Sequence, residues 1–240
     1  MSDTMHVISA GAAKALVQSL VAEFERQHRV SIDSRFGAVG AMQDALLSGA
    51  PCDVLILTRK LVADLARDGL VRSESIQPLG RVYTGIAVPA NRPHPALADR
   101  AALARTLSRA SALYFPDPER ATAGIHFAKV IASLGLSQAL APRLKPYPNG
   151  AAAMHAMAQS GDPDAIGCTQ VTEILYTTGV ELVGALPKEF ELSTIYAAAV
   201  CARAEHAQQA ASFVAALTGE ASLDLRRRGG FETLDHSVST

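Results

Sequence analysis

The sequence predicts an α/β fold with mixed, mostly parallel sheets flanked by helices. Three observations carry this. Short apolar, strand-like runs alternate with stretches whose apolar residues recur at helical spacing along nearly the whole chain. The turn Gly37-Ala38-Val39-Gly40 delivers a helix N-terminus to the end of a strand, which is where such folds hold anions. The 240 residues are 49% apolar and 19% charged, which suffices for a sizeable core in one or two domains.

The elements follow in order. "HVISA" (6–10) is a short apolar strand, and Ala13, Leu16, Val17, Leu20, Val21 and Phe24 then recur at helical spacing. Val30, Ile32, Ser34 and Phe36 alternate as a strand, which puts Arg35 on the opposite face. "AMQDALLS" (41–48) is helical and "CDVLIL" (52–57) is a buried strand. Residues 59–69 form a helix ended by Gly69. "RVYTGIAVPA" (81–90) is a strand. A second series comprises strand 111–117, helix 124–134, strand 143–149, helix 150–160 and strand 165–170. "VELVGALP" (180–187) and "TIYAAAVCA" (194–202) are strands, and helices near 205–218 and 220–228 close the chain.

Bulk properties narrow the partners. With a net charge of −1 there is no global field for nucleic acid, and no basic stripe is interleaved with aromatics. Arg226-Arg227-Arg228 is a lone basic run and reads as a solvated helix end. Cys52, Cys168 and Cys201 are odd in number and far apart, so they suggest buried thiols rather than a disulfide framework or a zinc site. The seven histidines show no metal-ligand spacing, and no G-x-S-x-G nucleophile elbow occurs. No apolar run is long enough to span a membrane. Met1 to Met5 lead into the first strand without a basic segment and an apolar stretch, so the expected location is cytoplasmic, or periplasmic if a signal was trimmed.

"SGAPCDVLIL", "FPDPERATAGIHFAKVIASLGL" and "AASFVAALTGEASLDLRRRGGFE", in that order, resemble the type II periplasmic solute-binding proteins, specifically the molybdate-binding branch, over about residues 6–232. The resemblance implies a two-lobed clamshell. Residues 1–84 with 192–240 would form one lobe and 85–191 the other, with a ligand in the cleft between them. It also implies a changed site. The serine of the first loop falls on Ala12 in "SAGAAKA", that of the second loop on Val39, and the tyrosine after the "IG" strand on Gln170. Backbone donors at Gly11, Ala12, Ala38, Val39 and Ala123 remain, and Ser9 or Thr122 is a candidate replacement hydroxyl. Hydrogen bonds to a charged group contribute about 1.5–3 kcal/mol each. Losing two hydroxyls therefore costs a tetrahedral oxyanion roughly a hundred- to ten-thousand-fold in affinity. Ala12 and Val39 suit a larger, partly apolar anion such as a carboxylate.

"AGIHFAKVIASLGL", "IGCTQVTEIL" and "ELVGALPKEF" resemble a divergent branch of this family that includes aconitate isomerase. What this implies is an isomerase that shifts a double bond in a small unsaturated di- or tricarboxylate by general acid–base proton transfer, with no metal or organic cofactor required. The alternative is a binding protein for a small anion, serving an ABC transporter or cytoplasmic sensing. A transporter partner belongs only to that alternative.

The chemistry needs donors for carboxylates, a base and an acid. His126 follows Gly124 at the start of a helix and is the candidate base, against a surface or capping role. Tyr83, near the expected lobe crossing, is a candidate acid, against core packing. Glu173 is a third candidate, although a glutamate in a first helical turn also serves the macrodipole. Thr84 stands beside Tyr83, and Gln170 can donate to a carboxylate. Arg35 can hold a carboxylate bidentately or be a solvated strand residue. Lys14 lies in a first helical turn, against the dipole, which suits a nearby ligand anion. Asp53 and Asp117 read as caps or turn formers.

Overall fold

The computed structural model describes residues 4–234. The chain forms two compact units. One runs up to Val82 and resumes at Thr194, and the other is the continuous insertion Tyr83–Ser193.

The first unit begins with β1 (Thr4–Ala10), a 3₁₀ turn (Gly11–Ala13) and α1 (Lys14–His28). β2 (Ser31–Gly37), α2 (Val39–Leu47), β3 (Val54–Thr58) and α3 (Arg59–Arg67) follow. β4 (Gln77–Pro89) carries the chain out of this unit. Its sheet runs β2–β1–β3 in parallel, and the returning β9 (Ser193–Val200) lies antiparallel to β3. The parallel strands end together at Ala10, Gly37 and Thr58, as βα units require. β3 is apolar throughout because both of its faces are covered, with Val54 to Leu57 fully buried. Buried Asp53 does not form a turn of its own segment: its carboxylate accepts from the distant His6 and His206 N–H groups at 2.7 and 2.9 Å and so ties three stretches of the unit together.

The C-terminal helices are α9 (Ala207–Thr218) and α10 (Leu223–Arg228). Here the basic run departs from the expected solvated helix end. Arg226 is buried, and its guanidinium donates to the carbonyls of Leu79, Thr218 and Gly219 at 2.7–3.0 Å. The donor fork of an arginine satisfies several carbonyls where strands and helix ends meet.

The inserted unit contains α4 (Arg100–Arg109), β5 (Leu113–Pro116), α5 (Thr122–Ser133), α6 (Ser137–Leu140) and β6 (Leu144–Tyr147). It continues with α7 (Gly150–Gln159), β7 (Ile166–Gln170), α8 (Val171–Tyr176) and β8 (Val180–Ala185). β5 lies between β6 and β7, parallel to both, and β4 pairs antiparallel with β7 and β8. α4 went unassigned by sequence pattern, although its signals are present. Asp99 caps it by accepting from Ala102 N–H at 2.8 Å, and Leu103 and Leu107 are fully buried on one face. Each such leucine contributes about 1.5–3 kcal/mol by burial. Leu103 and Leu107 join Phe115 and Phe127 in the unit's main core.

Cys168 and Cys201 are buried and Cys52 is half-buried, all as free thiols. Burial pushes the Cys168 thiol up, which leaves it inert. No helix among the described residues is long and apolar enough to cross a membrane.

Candidate functional site

In the inserted unit three polar side chains are buried with no hydrogen-bond partner among the described residues: Thr84, Gln170 and Thr172, at 1%, 3% and 3% exposure. Native interiors pair nearly all such groups, so a cluster of unpaired ones needs a cause. Thr84 and Gln170 are direct cross-strand partners on β4 and β7, which places their side chains on one face of the sheet. Thr172 follows two residues on, in the first turn of α8. Both the oxygen and the nitrogen of the Gln170 amide lack partners. Burying such an amide costs about 1–3 kcal/mol, a cost that a polar ligand offsets on binding.

The same strand edge carries the N-terminus of α5. Its N-cap is Ala121, which has no side chain to cap with, and the first intrahelical bond is Ile125 N–H to Ala121 O at 2.9 Å. The Thr122, Ala123 and Gly124 N–H groups have no acceptor among the described residues. A Cβ on Gly124 would stand 2.2 Å from the carbonyl oxygens of Pro116 and Asp117, so the helix start is seated directly on the end of β5. These N–H groups suit one carboxylate.

His126 is the fifth residue of α5 and so opens the second turn, not the first. The helix begins at Thr122, earlier than the expected 124, because the small residues before Gly124 already take helical geometry. The macrodipole fades beyond the first turn, so it does not govern this imidazole. A specific bond does. Nε2 lies 2.7 Å from the Phe190 carbonyl oxygen, which can only accept, so Nε2 carries the proton. In the neutral ring Nδ1 is then the basic nitrogen. Phe190 closes the 3₁₀ turn Lys188–Phe190, and two residues on Leu192 O accepts from Thr84 N–H at 2.9 Å. His126 and Thr84 thus hold the same short segment. Tyr83 is half-buried beside Thr84, on the opposite face of β4.

Glu173 lies in the first turn of α8, as expected, and accepts from the backbone N–H of Gln170, the N-cap of its own helix. Its carboxylate is enclosed at 6% exposure, accepts from Thr169 Oγ1 at 2.6 Å, and also takes the backbone N–H groups of Gly150 and Ala151 at the start of α7. Burial pushes its pKa up, against the lowering effect of these donors. An enclosed carboxylate with its acceptor sites committed is a structural anchor, which removes it from the candidate acids and bases. The helix N-terminus of α7 is therefore filled by the chain's own anion and by Asn149, whose Oδ1 accepts from Ala152 N–H at 2.9 Å.

The first unit offers a similar edge. Ala12 and Ala38 are buried, and Gly11 and Val39 are half-buried, at the ends of β1 and β2. α2 has Ala38 as its N-cap and no side-chain cap, and its first internal bond is Met42 N–H to Ala38 O at 3.0 Å. Lys14 opens α1 and is half-buried. Ser9 does not replace a missing hydroxyl: it is fully buried, with Oγ donating to Ala10 O at 3.0 Å. Thr122, half-buried at the first position of α5, remains open to that role. Arg35 is exposed on β2, on the face of Ser31 and Asp33.

Residues 5–232 match the family described as bacterial extracellular solute-binding protein. The chain belongs to that family. Among the relatives of this chain, an aconitate isomerase of Pseudomonas sp. is 22% identical over 213 residues, covering 86% of this chain and 79% of the relative. The molybdate-binding protein ModA of Escherichia coli K12 is 23% identical over 227 residues, covering 94% and 87%. The periplasmic molybdate-binding protein of Azotobacter vinelandii has the same fold, with a TM-score of 0.76 at 17% identity, covering 96% of this chain and 99% of that one. The mixed α/β architecture and the resemblance to the molybdate-binding branch both hold.

Thr172 was not singled out from sequence; a threonine two residues after the end of a strand carries no signal until its burial is known. Gln170 gives a direct test of the cluster. Gln170→Leu removes a buried unpaired amide at similar volume, so thermal unfolding rises by a few degrees. The same change weakens binding of a small anionic ligand about ten- to hundredfold in calorimetry. A stability loss with unchanged affinity would assign Gln170 to the core instead.

Proposed function

We propose that this protein is an isomerase that holds a small unsaturated di- or tricarboxylate and shifts its double bond by proton transfer. The observation that carries the reading is the cluster of unpaired Thr84, Gln170 and Thr172 beside the uncapped start of α5. Helix N–H groups take one carboxylate. The Gln170 amide and the threonine hydroxyls take a second polar end. His126 Nδ1 removes a proton from the carbon next to a carboxylate-bearing double bond, and the resulting enolate-like charge spreads onto carboxylate oxygens held by these donors. The same proton, or one from Tyr83, returns at the far carbon of the allyl system. Support for this chemistry comes from the aconitate isomerase relative and from the oriented tautomer of His126.

A second reading, a binding protein for a small anion, draws on the molybdate-binding relatives and on the commitment of Glu173 to α7, which leaves fewer acid–base groups. Proton NMR in D₂O with cis-aconitate, trans-aconitate and other unsaturated di- and tricarboxylates separates the two. The isomerase incorporates deuterium at an allylic carbon. Ligand binding without exchange favours the binding protein, and neither binding nor exchange across the panel rejects carboxylates altogether.

A further inference from the structure

At the opposite end of β7 from Gln170, the inserted unit has a cavity of about 350 Å³, apart from the candidate site. Its walls are α4, the loop after β4 and the approach to β7. The floor is apolar, with Val88, Ala102 and Ile166 among its residues. The rim is charged in one sense. Arg92, Arg105 and Arg109 border it against a single acid, Asp164. All three arginines are exposed, and among the described residues their guanidinium groups have no hydrogen-bond or ion-pair partner.

Arg105 and Arg109 stand four residues apart on α4 and so share one face, where like charges disfavour each other. Arg92 approaches from the loop, which is tied to α4 by Thr106 Oγ1 donating to Ala96 O at 3.1 Å. The position of Arg109 at the end of α4 also suits the helix dipole. The dipole does not account for Arg92 and Arg105 on the same rim, nor for the apolar hollow beneath. An apolar floor of this volume takes a ring or a branched chain, and unpaired guanidinium groups above it take a carboxylate, sulfonate or phosphate head bidentately.

We propose that this cavity is a second binding site, for a small amphipathic anion with an aromatic or branched apolar body. The site is independent of the proposed isomerase chemistry and stands whichever reading of that chemistry holds.

The test uses 8-anilinonaphthalene-1-sulfonate as the probe on the intact protein. The chain has no tryptophan, so the probe's emission reports its own environment. The expected result is saturable fluorescence enhancement with one dye per chain. R105E/R109E weakens it by about tenfold or more, since two charge-assisted contacts are lost. R105Q/R109Q weakens it less, and circular dichroism melting of both variants checks folding. Trans-aconitate leaves the dye in place, and millimolar inorganic phosphate displaces little of it. Equal dye affinity in the folded R105E/R109E protein overturns the proposal, as does the absence of saturable binding. Full displacement by phosphate alone overturns the amphipathic ligand class.

Discussion

His126→Ala is expected to slow deuterium incorporation into an unsaturated carboxylate by about 10²–10⁴-fold, the range that a positioned general base supplies. The fold should tolerate the change. What is lost structurally is one hydrogen bond to Phe190 O, about 1 kcal/mol, or roughly 2–4 °C in melting temperature for a chain of this size. The two readouts separate two roles for the ring. A base affects exchange far more than stability. A histidine that merely ties α5 to the segment 188–190 affects both modestly, through the placement of Thr84. His126→Asn sharpens the distinction, because an amide can still donate toward Phe190 O but has no basic nitrogen. Exchange that survives in the asparagine variant would move the base elsewhere, with Tyr83 next.

Gly150→Ala should produce a large loss of stability in the inserted unit. An ideal Cβ at Gly150 falls 2.0 Å from both Glu173 Oε2 and Thr169 Oγ1. Neither can yield cheaply, because Thr169 is fully buried and donates to Glu173 at 2.6 Å. Either α7 lifts from the carboxylate or Glu173 leaves its donors, and a buried charge stripped of its partners costs about 3–5 kcal/mol. Thermal unfolding should fall by roughly 6–20 °C. The cause can be isolated by a double-mutant cycle: in a Glu173→Ala background, where the space is free, Gly150→Ala should cost far less than it does alone. Additive losses, or a single variant melting within two or so degrees of the parent, would show that the helix start has room to shift.

Much of this architecture can be read from the residues, since the period of apolar positions is a local property. The alternation from 6 to 90 and from 111 to 202 corresponds closely to the strands and helices found. α4 escaped because its charged and small residues dilute a two-leucine face, and Asp99 alone does not announce a helix. The site is less legible, for a different reason. A residue type and a position along an element say what a side chain can do but not what has already claimed it. Ser9 offers a hydroxyl that its neighbour's carbonyl takes. Glu173 offers a carboxylate that a helix 20 or so residues upstream takes. Gln170 was recognisable as a donor, but only burial without a partner distinguishes it from an ordinary strand-end amide. Such commitments are tertiary and have no sequence period.

Because Tyr83–Ser193 is an uninterrupted insertion, the order of synthesis on the ribosome constrains assembly. All strands of the inserted unit exist once Ser193 has been made, whereas β3 must wait for β9, and α1 must wait for α9, whose Phe213 packs edge-on against Phe24 with ring centroids 4.8 Å apart. The N-terminal β1–β3 segment, with its run of fully buried Val54 to Leu57, is therefore translated first and completed last. During that interval an apolar strand lacks its antiparallel neighbour, a state prone to pairing with other chains. Yield in cells should accordingly respond more to changes in β9 and α9 than to changes of equal thermodynamic cost within the insertion.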